Sequence, residues 1–305
     1  MTKAVGVAAI FALFVSSVVP TQAASKKKAA QTNESNSVPE VPGDEIFGFT
    51  SPTDVGNAGE LGLANEFDGR LQKRGSRYGG YNSKSEFGYT FAEDWWIGAS
   101  PFGAWNNVRD VSGLADISTS AFDGLSFELQ YRLLRRSAGN PFAVSLAVEP
   151  RWARIDSTSG LRSEAYYADF KFLVDAVVVP DRVFWAANLY FAPQRAQDII
   201  ERGIWLNSSS TFLSTALTFQ LSPSVFVGAE VRHLALYNGA WLIKRVGYAV
   251  YVGPTLAWKI TDKIVFNTTW QPQVSGRSVD NPGLRYDLDN FERTQFRMKL
   301  SMQLN

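Results

Sequence analysis

The sequence predicts an all-β protein, a transmembrane antiparallel up-and-down β-barrel of about 12 strands, on three observations. Apolar and polar residues alternate at period two in segment after segment, short and long connections alternate between the segments, and an export-type leader precedes them all. The last ten residues show the alternation without a break. Phe296, Met298, Leu300, Met302 and Leu304 fall on one face, while Arg297, Lys299, Ser301 and Gln303 fall on the other.

The leader occupies residues 1–23. Lys3 is followed by an apolar run from Ala4 to Val19, then by Pro20 and Thr21-Gln22-Ala23, which puts small residues where a signal peptidase inspects the chain. The run is shorter than the roughly 20 residues of a spanning helix and is broken by Ser16, Ser17 and Pro20. Residues 24–45, with Lys26-Lys27-Lys28 and a polar stretch through Ser37, carry too little apolar surface to pack and are expected to form a disordered periplasmic linker. The barrel is assigned residues 46–305. Ile46-Phe47-Gly48-Phe49 and the turn-like Ser51-Pro52-Thr53-Asp54 read either as a segment tucked in the barrel mouth or as the entry to the first strand.

Twelve segments are long enough to cross a bilayer at a tilt, where roughly nine to eleven residues are needed. They lie near 59–72, 79–91, 95–106, 122–135, 141–155, 164–177, 182–193, 210–221, 224–236, 246–260, 263–275 and 291–304. With the amino terminus in the periplasm, every second connection is a short periplasmic turn. Ala92-Glu93-Asp94, Arg136 to Asn140, Val179-Pro180-Asp181, Ser222-Pro223 and Thr261-Asp262 are rich in residues that favour tight reversal. The external loops, near 73–78, 107–121, 156–163, 194–209, 237–245 and 276–290, are longer. A soluble sandwich has no reason to alternate in this way.

The faces follow from the alternation. The first segment sets Leu61, Leu63, Phe67 and Leu71 against Glu60, Glu66, Asp68 and Arg70, and the fourth sets Leu125 to Leu133 against Ser126, Glu128, Gln130 and Arg132. An Arg or Lys facing lipid at mid-bilayer costs on the order of 2–4 kcal/mol, so the charged faces look inward. The third segment, through Trp95-Trp96-Ile97 and Pro101-Phe102, gives no clear faces. Glu128, Arg132, Glu149, Arg151, Asp169, Lys171, Glu230 and Arg232 are candidate pore-lining residues. Asp68 with Arg70, Lys84 with Glu86, Glu149 with Arg151 and Asp169 with Lys171 stand two apart on one strand, and a hairpin near Ala138 brings Glu128 beside Glu149 and Arg151. Such charges either set a field that filters solutes or neutralise each other and close the lumen. Twelve strands fall between barrels of about eight, filled by side chains, and open porins of about 16–18.

Composition excludes several classes. Without Lys3 the chain has 29 basic against 29 acidic residues, a balance that disfavours nucleic acid as a partner. The absence of Cys removes disulfides and thiolate metal sites. No cofactor or metal is expected. His233 is the sole histidine, and although Ser214 is available as a cross-strand neighbour, no motif marks a Ser/His hydrolase.

Four stretches carry a resemblance. Phe47-Gly48-Phe49-Thr50-Ser51-Pro52-Thr53-Asp54-Val55-Gly56, Phe122-Asp123-Gly124-Leu125-Ser126-Phe127-Glu128-Leu129-Gln130-Tyr131-Arg132-Leu133-Leu134, Val148-Glu149-Pro150-Arg151-Trp152 and Asn290-Phe291-Glu292-Arg293 resemble those of an uncharacterised family of exported barrel proteins of alphaproteobacteria. The resemblance covers essentially all of the chain after the leader. It implies an outer-membrane barrel and brings no assigned substrate or site. The chain departs from barrels in general at its end, where Leu304-Asn305 stands in place of the aromatic residue read by the barrel assembly machinery.

The expected function is therefore a narrow channel passing small polar or charged solutes, set among outer-membrane lipid and lipopolysaccharide. A non-conducting barrel acting through its external loops is the alternative, and a lipid-modifying hydrolase a distant third.

Overall fold

The computed structural model describes residues 45–74, 77–137, 139–201 and 203–305; the expected leader and, apart from Glu45, the expected linker lie outside the described residues. Each strand pairs with the next along the chain, and the last pairs with the first. The strands are β1 (Leu61–Leu71), β2 (Arg77–Ala92), β3 (Trp95–Arg109), β4 (Ile117–Leu134), β5 (Phe142–Ile155), β6 (Arg162–Val179), β7 (Val183–Gln197), β8 (Trp205–Ser222), β9 (Val225–Asn238), β10 (Lys244–Thr261), β11 (Ile264–Ser278) and β12 (Thr294–Gln303). They form one closed antiparallel barrel. The closing seam runs from Gly62↔Gln303 to Leu71↔Thr294, so the terminal strand completes the ladder and no edge is left open.

The twelve segments expected from the sequence are all strands. Two of the expected loops are largely strand as well. Around 107–121, Asn107↔Ser118 and Val108↔Ile117 extend the β3–β4 ladder, and around 194–209, Gln194↔Ser208 and Gln197↔Trp205 extend β7–β8. Their Ser, Asn and Gln composition reads as loop, yet ladder pairing supplies every backbone partner and overrides propensity. An 18-residue strand such as β4 reaches roughly 60 Å at about 3.3 Å per residue, more than a tilted crossing of an apolar band about 25 Å tall requires.

The outer face is apolar. Phe87, Phe127, Leu133, Phe170, Leu189, Leu213 and Trp270 are among its exposed side chains, a surface that water does not stabilise and a bilayer does. Aromatic pairs mark both rims: Trp95 on Tyr131 at 4.5 Å near the short turns, and Tyr81 on Trp105 at 5.6 Å and Tyr166 with Trp205 at 6.0 Å towards the longer connections. The third strand now has faces. Trp95, Ile97 and Trp105 point outward with Tyr131, Leu129 and Tyr81, whereas Trp96, Gly98 and Phe102 point inward with Gln130, Glu128 and Lys84. Inward aromatic residues are what obscured the pattern.

Candidate functional site

The lumen wall is built from side chains two apart on β1, β2, β4, β5, β6 and β12. Glu149, 1% exposed, receives Lys171 at 2.7 Å, Lys84 at 3.0 Å and Arg151 at 3.3 Å. Three cations around one carboxylate offset its removal from water and fix its position. Lys171 also bonds Glu128 at 2.8 Å, Arg151 bonds Asp169 at 2.6 Å, and Lys84 bonds Glu86 at 2.9 Å. Arg297 holds Asp68 at 2.8 Å and Glu66 at 2.9 Å.

These pairings correct part of the sequence reading. Glu128 does come level with Glu149, but the link between them is Lys171 rather than Arg151. Asp68 pairs with Arg297 of β12 and Arg70 with Glu292 (3.6 Å) of the connection before β12, rather than with each other. Lys84 with Glu86 and Glu149 with Arg151 do pair along one strand, whereas Asp68 and Lys171 find partners on neighbouring strands, whose facing side chains lie close.

Residues 45–60 decide how much of the lumen is left. They do not simply enter β1. They cross the interior close to the short-turn end, leaning on one strand after another. Ile46 and Phe47 fill an apolar patch made by Val177, Phe184, Ala186, Ala216, Phe226 and Ala257, all inward-facing. Such a patch would be stranded in an aqueous lumen, and the segment covers it. Gly48 passes where a Cβ would sit 2.6 Å from Glu230 Oε2, so only glycine fits. Phe49 lies beneath two guanidinium groups, Arg232 at 3.5 Å and Arg297 at 4.4 Å from the ring centroid, and its N–H donates to Glu230 at 2.9 Å. The Thr50 hydroxyl reaches Glu230 and, at 2.9 Å, Ser214.

The segment then runs past β7 to β4. Ser51 N–H donates to Asn188 at 2.6 Å, and the Asn188 amide returns a bond to Ser51 O at 2.8 Å. Thr53 donates twice to buried Asp175 at 2.8 Å, while Ser145 and Gln130 donate to the Thr53 carbonyl at 2.6 and 3.1 Å. Asp54 accepts from Arg132 at 2.7 Å, and Arg136 bonds Asp175. The entry-to-the-first-strand alternative is thereby set aside in favour of a segment within the barrel, and no sequence motif marks it as such.

The opposite end is narrowed by the longest connection, residues 279–293. The alternation predicts a last strand from 291; the structure begins β12 at Thr294 and folds Phe291 inward against Ala249, Tyr251, Leu234 and Leu236. The Tyr251 hydroxyl donates to Glu292 O at 2.6 Å, and Gln273 accepts from Asp287 N–H at 2.8 Å. Burial pushes the Asp287 carboxyl above the usual carboxylate range. Asp289, bonded to Asn281, Ser278 and Arg74, is held below it although burial opposes this.

Two cavities bordered by described residues bear on the path. One of about 390 Å³ lies between the crossing segment and the charged wall, bordered by Glu66, Asp68, Lys84, Glu86, Trp96, Glu128, Glu149, Arg151, Lys171, Arg297 and Lys299, and it continues to Asp262, Lys263 and Gln303 near the short turns. The other, about 220 Å³, lies towards the longer connections, bordered by Asp169, Ala192, Ser210, Leu234 and Phe291. Tyr190 and Phe212, stacked at 4.9 Å, border both. Between the cavities stands the Arg151–Asp169 pair. Of the candidates named from sequence, Glu128, Glu149, Arg151 and Lys171 border the first cavity and Asp169 the second. Arg132, Glu230 and Arg232 are engaged by the crossing segment instead. Phe49, Tyr190 and Phe212 carry no signal in the sequence, because aromatic residues on an inward face do not stand out at period two; Arg297 does read as a polar-face residue of the last strand, but nothing in the sequence pairs it with Glu66 and Asp68.

His233 and Ser214 lie on opposite faces. His233 is in register with Leu213 and Val250 on the outer face and stacks on Tyr248 at 5.5 Å, whereas Ser214 is in register with Arg232 inside. Among the described residues there is no cluster of three or more His, Asp or Glu able to hold a metal ion.

A family model matches residues 39–304, which is nearly all of the chain described here. The chain belongs to a family of unknown function (DUF6662). No curated protein matches the sequence. Among solved structures, an outer membrane channel from Pseudomonas putida F1 is similar with a TM-score of 0.54 at 13% identity, over 84% of this chain and 100% of that one. The β domain of the Bordetella autotransporter BrkA gives 0.49 at 13% identity, over 81% and 100%, and the KdgM porin in complex with oligogalacturonate gives 0.45 at 10%, over 80% and 99%. The first likeness establishes the fold of an outer-membrane barrel. The four stretches that carried the sequence resemblance all contribute to the barrel interior of this chain: the crossing segment, the β4 and β5 faces of the charged wall, and the inward-folded connection.

Proposed function

We propose that this family member is an outer-membrane channel for passive diffusion of small polar or charged solutes, with its short turns in the periplasm. The observation that carries the reading is the wet, charged cavity of about 390 Å³ that runs from the short-turn end to the Arg151–Asp169 pair. Its lining holds nine carboxylates against six Lys and Arg side chains, so small cations are favoured over anions of equal size. Balanced composition gave no such preference; folding concentrates the acids in the lumen.

The test is unitary conductance of the refolded protein in a planar bilayer under a KCl gradient. Small steps with a reversal potential on the cation side are expected, and Glu86→Gln moves that potential towards zero. A second reading, a barrel that does not conduct as it stands, is favoured by the crossing segment and the inward-folded connection. Protein with heat-modifiable gel mobility and no steps would leave that reading and sink the channel.

A further inference from the structure

We infer that the outward rim at the long-connection end binds the phosphate groups of a phosphorylated lipid in the facing leaflet, an inference that rests on the membrane reading above. Outward strand positions at this end carry Arg77, Arg109, Arg154, Arg195, Arg245 and Arg277, against a single acid, Glu164. Arg77 and Arg109 are direct cross-strand partners, a like-charge pair that costs free energy unless an anion lies between the two. Arg277 stands opposite Tyr248 in the same way that Arg195 stands opposite Tyr166.

The guanidinium groups are presented rather than neutralised. Arg154 lies over Trp152 at 6.0 Å, Arg195 over Trp205 at 5.4 Å and Arg245 over Tyr248 at 5.2 Å. A planar cation resting on a ring leaves its N–H edge free for phosphate oxygens, which it matches two at a time. Among the described residues, Arg109 alone of the six has a carboxylate within reach, Asp116 at 3.8 Å. The short-turn end is built differently, with Arg135 tied to Glu93 and Asp94.

A second observation places lipid beside this rim. The connection 239–243 bends through Gly239 (φ +78°) and Leu242 (φ +55°) and lays Trp241 on Phe191 of the outer face at 5.8 Å, leaving Trp241 75% and Ile243 76% exposed. Leu242 in the left-handed region is uncommon for a bulky residue, and the bend it permits carries two large apolar side chains onto the outer wall. Apolar anchors below and forked cations above match a lipid whose head group bears phosphate, and the observations favour that occupant over a protein partner.

The test uses full-length mature protein in detergent micelles, mixed with diphosphoryl lipid A or with the same glycolipid stripped of phosphate, and read by native mass spectrometry after gel filtration. Wild type should retain the phosphorylated form selectively. A variant carrying Arg77→Gln, Arg109→Gln, Arg154→Gln and Arg195→Gln should lose about tenfold in retention, as expected for removal of several charge-assisted contacts, and the matching four Arg→Lys changes should restore part of it. Equal retention of the stripped glycolipid, or no loss in the Gln variant, overturns the inference. Displacement by inorganic phosphate would assign the arginines to a free anion and overturn it too. Insertion is read separately, by quenching of tryptophan fluorescence with brominated lipid: no quenching would sink the membrane reading as well, whereas quenching with no selective retention sinks only the rim.

Discussion

Asp94 shows how a single residue in a tight turn is set by its neighbours. It adopts φ +64°, where Asp is tolerated, and accepts from Arg135 at 2.6 Å and Arg132 at 2.8 Å. Those hydrogen bonds, Arg135 first, hold its carboxyl below the usual range although partial burial opposes them. A depressed carboxylate contributes stability above its unfolded pKa of about 3.9, and the contribution is lost as pH falls through the lower folded value. The pair is largely solvated, so the contribution stays under about 1 kcal/mol. Carbon-13 NMR titration in micelles should give a midpoint for Asp94 below about 3.9, and Arg135→Gln should raise it. That Glu93 and Asp94 form a turn was legible from composition. That Arg132 turns from the lumen towards Asp94 and Asp54 was not, because its partners come from two other segments.

At the scale of the strand pair, the β3–β4 ladder slips by one residue between Phe102 and Gly103, leaving Asp123 as the extra residue of a bulge. Asp123 uses its carboxylate to accept Arg154 N–H at 3.0 Å and Ile155 N–H at 2.8 Å from β5. Next to it a Cβ on Gly124 would fall 1.8 Å from the Trp152 carbonyl oxygen. Asp123→Ala leaves two backbone donors without a partner and should destabilise the barrel by about 2 kcal/mol, read as a lower urea midpoint in micelles; Asp123→Asn should lose less. Period-two alternation marked β4 from Phe122 onward but gave β3 no clear faces, and it passed over the bulge, which inverts the parity so that outward Phe122 is followed by outward Leu125.

At the scale of the whole molecule, segment 45–56 and the barrel wall stabilise each other. The wall supplies the apolar patch for Ile46 and Phe47 and the acceptors Glu230 and Asp175, and the segment covers what would otherwise be wet apolar surface inside the lumen. Deleting residues 45–56 should raise unitary conductance several-fold while heat-modifiable mobility persists. The milder Phe47→Asp, which puts a charge against Phe184 and Phe226, should give longer-lived or larger openings than wild type. Unchanged conductance in both variants would mean that the segment does not limit the path.

Alternation, connection length and an even strand number made the closed barrel readable in the chain, because strand periodicity and turn chemistry are local and the segments, the third apart, declare their own two faces. Which charges meet, and what fills the lumen, were settled only by closure. Phe49 reaches Glu230 across 181 positions of sequence and Arg297 reaches Asp68 across 229, separations at which no periodic signal survives. Glu149 was legible as an inward charge, but its three cations come from β2, β5 and β6 and gather around it only when the wall curves into a barrel.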